Sequence, residues 1–222
     1  GIYTYSLAGA RFGYGTLWSL IPMTIALYVT LEMCSRMGAV TGKGLSDLIR
    51  EEFGFRVTFF VMAAVLVVNL GNVLAEFAGV ASAMEIFGVS KYISVPIAAF
   101  LVWVLVVRGT ASRVEKIFLI VCTVYFTYIV SAFLARPDWL VAAKNVVVPV
   151  VRFDPAYLLM LAALVGATIA PWQHFYLQAA VVEKRVGPRQ YSHLRKDVLV
   201  GSISCMVIVF FIIVCTAATL HH

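Results

Sequence analysis

The chain has 222 residues, 62% of them hydrophobic and 13% charged, with a mean hydropathy of +0.96 and a formal net charge of +6. Soluble domains run at roughly 45–50% apolar and about 25% charged, so a soluble globule is excluded and the apolar surplus must face lipid. The apolar runs are long and unbroken, unlike the alternation of a β-barrel, and the basic residues lie between these runs rather than on one face, which speaks against a nucleic-acid surface.

A spanning helix needs ~20 mostly apolar residues. In chain order, Gly1–Tyr14 is too short and too rich in Gly, Ala and Tyr to span, and reads as the back half of an interrupted helix. Spans are expected at Thr16–Cys34, Val57–Ala83, Ile93–Val107, Ile117–Leu134, Tyr157–Val182 and Val198–Leu220. Between the first two, Gly44–Glu52 reads as a short surface helix with Ser46 or Asp47 near its start. Connections are short except Arg136–Ala156. Gly1 is not an initiator Met and the last apolar run reaches the final residues, so a fragment cut at both ends is expected; no signal peptide is visible. Cys34, Cys122, Cys205 and Cys215 form no CxxC pattern and read as small hydrophobes.

Orientation follows from the basic residues of short loops. One alternating set holds Arg36, Lys43, Arg50 and Arg56, then Arg108, Arg113 and Lys116, then Lys184, Arg185, Arg189, Arg195 and Lys196; the opposite set holds only Arg11, Lys91, Arg136, Lys144 and Arg152. The richer set is expected in the cytoplasm, in a multi-pass protein of the plasma (bacterial inner) membrane. The partner this implies is the lipid bilayer, and no nucleic acid.

Most spans are plain Val, Leu, Ile and Phe. Tyr157–Val182 differs, with Gly166-Ala167-Thr168-Ile169-Ala170-Pro171-Trp172-Gln173-His174 in its middle. Pro171 has no N–H, so the Ala167 carbonyl loses its helical donor, and Gly166 and Thr168 loosen the turn. Freed carbonyls at the midplane are how many secondary transporters hold ions; a simple proline kink accounts for the same residues. Glu76 is the one carboxylate deep in Val57–Ala83, after Asn69 and Asn72. Intramembrane acids are costly and usually functional, although a carboxylate bonded to a neighbouring helix is the plainer reading. Glu32 and Glu115 sit near span ends as partners for Arg36 and for Arg113 or Lys116. His174, one turn before Gln178, has the chemistry of a ligand or proton carrier, with a hydrogen-bonded packing histidine the plainer reading. No Walker loop, nucleophile elbow or HExxH motif occurs, so the sequence points to no enzyme and no resident cofactor.

Several stretches together resemble the Nramp family of divalent-metal transporters. Ala8-Gly9-Ala10-Arg11-Phe12-Gly13-Tyr14 with Leu17-Trp18 resembles the stretch after that family's first unwound helix; Glu32-Met33, Arg36-Met37-Gly38 and Val40-Thr41-Gly42-Lys43-Gly44-Leu45 resemble the end of its second helix and the loop beyond. Ala75-Glu76-Phe77-Ala78-Gly79 resembles its third helix, and Gly166-Ala167-Thr168-Ile169-Ala170-Pro171 its sixth. The resemblance implies an all-α polytopic membrane protein with the LeuT-type inverted repeat of five plus five helices and broken helices one and six. Residues 1–222 would form a single, partial transmembrane domain, from the end of helix one through helix seven.

On this resemblance the ion lies between the two breaks, with Gly1, Ala167, Ala170 and Gln173 as the metal-site positions, and Gly166, Thr168, Pro171, Trp172 and Glu76 along the break or pathway. Departures from the family pattern shape the expected cargo. The helix-six Met position is Ala170 and the His position is Trp172; Gly1 aligns with a helix-one Asn; the helix-three Asp aligns with Val73, while its Glu is kept as Glu76. A thioether favours soft or borderline metals. Its loss widens the site, and Mg²⁺ takes oxygen ligands at ~2.0–2.1 Å and keeps several waters. The expectation is a carrier of Mg²⁺, also of Mn²⁺, without proton coupling. The alternatives are a proton-coupled Mn²⁺/Fe²⁺ carrier of the main family type and a non-transporting membrane receptor or scaffold. An amino-acid symporter would want open helix N-termini for a carboxylate, and Trp172 crowds that space.

Overall fold

The computed structural model describes residues 1–109 and 111–221, and the side chains of all of these except 111–115, 118 and 189. The described residues form ten α-helices joined by three 3₁₀ segments, with no strand. In chain order the helices are α1 (Ile2–Phe12), α2 (Leu20–Thr41), α3 (Leu45–Ile86), α4 (Lys91–Arg108), α5 (Ala111–Cys122), α6 (Phe126–Leu134), α7 (Trp139–Val147), α8 (Pro155–Thr168), α9 (Pro171–Glu183) and α10 (Tyr191–Leu220). Five stretches are long and apolar enough to cross a membrane: Ile2–Thr41, Leu45–Ile86, Lys91–Arg108, Pro155–Glu183 and Tyr191–Leu220. A sixth is reached if the helices ending at Leu134 and α7, bent by 116°, count as one.

Two compact units divide the chain: Gly1–Leu66 with everything from Tyr128 onward, and Val67–Thr127. The first holds the core. Leu17, Leu20, Met23, Leu27, Met160, Leu164 and the α10 run Ile212-Ile213-Val214 are buried there together. α1 lies along α10, and the small residues of α1 make this possible. A Cβ added at Gly9 would fall inside contact distance of Thr216 and of the Ile213 carbonyl, so the two helices meet at backbone distance. The Ala10 carbonyl accepts from His221 Nδ1 at 3.0 Å, which ties the carboxyl end of α1 to the residue just past α10. α2 runs back against α9 and α10.

Several elements differ in detail from the expected spans. The first expected span starts as a 3₁₀ segment, Gly13–Ser19, before α2. The short surface helix is present from Leu45, and Gly54, at φ 79° and ψ 174°, kinks it away from the rest of α3. Ile117–Leu134 is not one regular helix, because a 3₁₀ turn at Thr123–Tyr125 separates α5 from α6. The long connection Arg136–Ala156 contains a helix that the apolar-run criterion overlooks: Asp138 caps α7 by accepting from the N–H groups of Leu140 and Val141, the role a carboxylate plays at a helix start. Trp139 at its start packs on Phe133 and Phe211, with centroids 5.0 and 6.4 Å away.

The second unit, Val67–Thr127, buries little. No residue of α3 is buried, and Phe60, Leu74 and Trp103 are exposed; Phe60 belongs to the part of α3 in the first unit. An apolar helix exposed all round suits lipid or further membrane helices rather than water.

Candidate functional site

The residues of the sixth expected span separate into two half-helices. α8 ends at Thr168; Ile169 has φ −108° and ψ 67°, and Ala170 is extended at φ −80° and ψ 136°. α9 then starts on Pro171, whose fixed φ suits a first helical position and whose missing N–H costs nothing there. Ile169 N–H still donates to the Val165 carbonyl at 2.8 Å. Beyond it the α8 ladder stops, and Pro171 offers no donor to Ala167.

The two helix ends at the break differ electrically. The carboxyl end of α8 presents carbonyls and the negative end of a helix dipole, whereas the amino end of α9 presents N–H groups and the positive end. Of the two ends, the α8 side, where Gly166, Ala167 and Thr168 lie, is the electrically more favourable one for positive charge.

The structure places the remaining site positions as follows. Gly1 is exposed and precedes α1, and its carbonyl accepts from Tyr5 N–H at 3.2 Å. Ala167 is half-buried against the core. Ala170 is 3% exposed, and its carbonyl already accepts from Gln173 N–H and sits against His174 Nδ1, both at 3.1 Å. His174 is thus hydrogen-bonded within its own half-helix. Gln173 is half-buried in the first turn of α9, Trp172 is 45% exposed, and Gly166 is exposed. Glu76 lies exposed on α3 in the second unit. Glu32 and Arg36 approach to 3.9 Å one turn apart, while the pairing of Glu115 with Arg113 or Lys116 rests on a side chain outside the described ones.

Three features are absent from any motif. Tyr5 on α1 and Thr168 share a hydrogen bond at 3.1 Å, both nearly buried; this joins the first half-helix to the break. Thr168 Oγ1 also lies 2.7 Å from the Leu164 carbonyl and 3.9 Å from Met23 Sδ on α2, so one thioether does stand beside the break. Tyr157, fully buried at the start of α8, accepts from Trp18 Nε1 at 2.8 Å and sits 2.9 and 2.7 Å from the Gly15 and Val150 carbonyls. The pairs Tyr5–Thr168, Met23–Thr168, Trp18–Tyr157 and Gly15–Tyr157 are far apart in sequence, so no local spacing signals them. Among the described residues no three His, Cys, Asp or Glu side chains gather as a metal cluster.

The ends of the first unit also sort by charge. Residues 38–42, 181–182 and 185–187 line one cavity, and Gln178 Nε2 donates to the Lys43 carbonyl at 2.9 Å, so two of the basic-rich loops share an end. Ala10 with His221, and Gly15 with Val150, mark the opposite end.

Comparison with known proteins adds the following. The chain matches the family model described as natural resistance-associated macrophage protein-like, Nramp, over residues 1–222. It is 28% identical over 193 residues to the divalent metal cation transporter MntH of Burkholderia ambifaria, covering 85% of this chain and 43% of that protein. The chain thus spans less than half the length of this curated relative.

Proposed function

Because this chain belongs to the Nramp family and is an all-α, multi-pass membrane protein, we propose that it forms part of a carrier of divalent metal cations across the membrane, with Mg²⁺ as the preferred cargo and Mn²⁺ as a second. The observation that carries this reading is the break at Ile169–Ala170, where α8 ends in carbonyls, two hydroxyls meet, and Ala170 offers a methyl where the family resemblance expects a thioether. Oxygen ligands suit Mg²⁺ and Mn²⁺. The cation sits on the α8 side, against the carbonyls of Gly166 and Ala167 with Thr168 nearby, and retains part of its water. Transport runs down the ion gradient with little or no proton coupling, because Val73 stands where the family places a carboxylate. The basic-rich loops face the cytoplasm.

A second reading, a Mn²⁺/Fe²⁺ carrier, is favoured by one observation: Met23 Sδ stands 3.9 Å from Thr168 Oγ1 and supplies a soft atom from α2. Uptake by the full-length protein in liposomes distinguishes the readings. Mg²⁺ uptake inhibited by Mn²⁺ but weakly by Cd²⁺ supports the first; Cd²⁺ and Mn²⁺ uptake without Mg²⁺ supports the second. No uptake of any divalent cation leaves the non-transporting receptor or scaffold.

A further inference from the structure

The half-helix α9 is joined to α8 through the two non-helical residues Ile169 and Ala170, and the element it chiefly packs against is α2. Its one side-chain hydrogen bond to α2's carboxyl-terminal loop, among the described residues, comes from Gln178. That side chain is fully buried, and its Nε2 donates to the Lys43 carbonyl at 2.9 Å. Its Oε1 is buried with no partner among the described residues. A buried, unsatisfied amide oxygen is costly, and a methionine of similar volume would avoid that cost. An amide is therefore an expensive choice for packing alone.

The contact is also tight. A Cβ added at Gly38 would lie 3.2 Å from Gln178 Cγ, 3.2 Å from the Gln178 carbonyl and 3.3 Å from Val181 Cγ1. Glycine at this position lets α9 come close enough for the amide to reach past α2 to Lys43. The same end of the two helices borders a cavity of about 490 Å³ lined by residues 38–42, 181–182 and 185–187. Space for movement thus lies beside the contact.

We propose that Gln178 is a latch: its hydrogen bond to the Lys43 carbonyl holds α9 against α2, and its release lets α9 swing about Ile169–Ala170, opening a path from the break to the end that carries Lys43 and Arg185. Gln178 is a positioning residue in this account and touches no cargo. The inference rests on the transport reading for its purpose, but the latch itself is testable without transport.

The test uses the full-length protein in detergent, with native cysteines replaced and Val181→Cys as reporter. Val181 is 3% exposed, between α9 and α2, so a water-soluble maleimide reacts with it only when α9 moves away. Gln178→Met keeps the volume and removes the bond. It is expected to raise the labelling rate about fivefold, the factor one buried hydrogen bond places on an equilibrium. Gly38→Ala, which pushes on the same contact from α2, is expected to raise it as well, and Gln178→Glu, read at alkaline pH where its carboxylate is ionised and has no proton to donate, should resemble Gln178→Met. Unchanged labelling in Gln178→Met and Gln178→Glu overturns the latch, and so does an increase in Gly38→Ala alone, which would reduce the contact to packing. If Gln178→Met does not fold, Gln178→Glu decides by the same criterion, and failure of both to fold overturns a latch in favour of a purely structural role. Labelling is read without metal, so raised labelling in a protein that moves no divalent cation would keep the latch and discard the transport reading.

Discussion

Ala170→Met is the substitution that bears most directly on cargo choice. Ala170 is 3% exposed and extended, immediately before the first turn of α9. The larger side chain adds three heavy atoms to a buried position, and overpacking of that kind costs ~1–3 kcal/mol. It also brings a thioether to the break, on the opposite half-helix from the α8 carbonyls. One added ligand is worth ~1–3 kcal/mol by analogy with a single buried polar contact, and about 1.4 kcal/mol is tenfold. The packing cost is common to every metal, whereas the sulfur discriminates. The ratio of Cd²⁺ to Mg²⁺ uptake therefore isolates the ligand effect, and it should rise about tenfold or more while Mg²⁺ uptake falls. The assay is parallel uptake of both metals by wild-type and variant full-length protein in liposomes. A ratio within twofold of wild type, in a variant that remains folded, would refute the reasoning that the missing sulfur sets selectivity.

Met23→Leu tests the competing thioether: on the Mg²⁺ reading the Cd²⁺ to Mg²⁺ ratio stays put, and a large drop in Mn²⁺ or Cd²⁺ uptake would favour the second reading. Tyr157→Phe strips the acceptor from Trp18 Nε1 and the donor from the Gly15 and Val150 carbonyls; it should destabilise the protein by about 2 kcal/mol, read as a lower thermal unfolding midpoint, and an unchanged midpoint contradicts a stabilising role for these bonds. Single cysteines at Val40 and Gly187 should resist an impermeant thiol reagent added outside intact cells, and labelling of both would reverse the orientation; Val40 is chosen because it is 66% exposed, whereas neighbouring Gly42 has φ 64° and tolerates a side chain poorly. Metal-driven acidification of liposomes should be weak or absent, and acidification abolished by Glu76→Gln would show that one carboxylate suffices for proton coupling.

What the sequence makes legible, and what it hides, follows from the range of the interactions. The spans at Lys91–Arg108 and Tyr191–Leu220 are written in local hydropathy, and the break after Thr168 in the chemistry of Pro171, which acts within one turn. α7 is hidden because its nine residues are too few to span, although Asp138 before Trp139 is a start signal. The 3₁₀ turn at Thr123–Tyr125 carries no Gly or Pro to announce it. The bonds from Tyr5 to Thr168, Trp18 to Tyr157 and Gln178 to Lys43 join residues more than a hundred positions apart. They depend on how helices pack, which hydropathy does not encode. Gly9 and Gly38 are visible as small residues, but only the packing shows that one admits α10 and the other α9.

The central claim is that a divalent cation is held by backbone oxygen on the α8 side of the break. Mn²⁺ bound to the full-length protein, uniformly labelled with ¹³C at alanine carbonyls, tests it by electron–nuclear double resonance. The account predicts a ¹³C coupling from a directly bound carbonyl. That coupling should vanish in Ala167→Gly, which keeps the oxygen but loses the label, with Mn²⁺ affinity within about twofold of wild type, since a carbonyl ligand is unchanged by the substitution. Bound Mn²⁺ with no ¹³C coupling, or a coupling that survives Ala167→Gly, would contradict it.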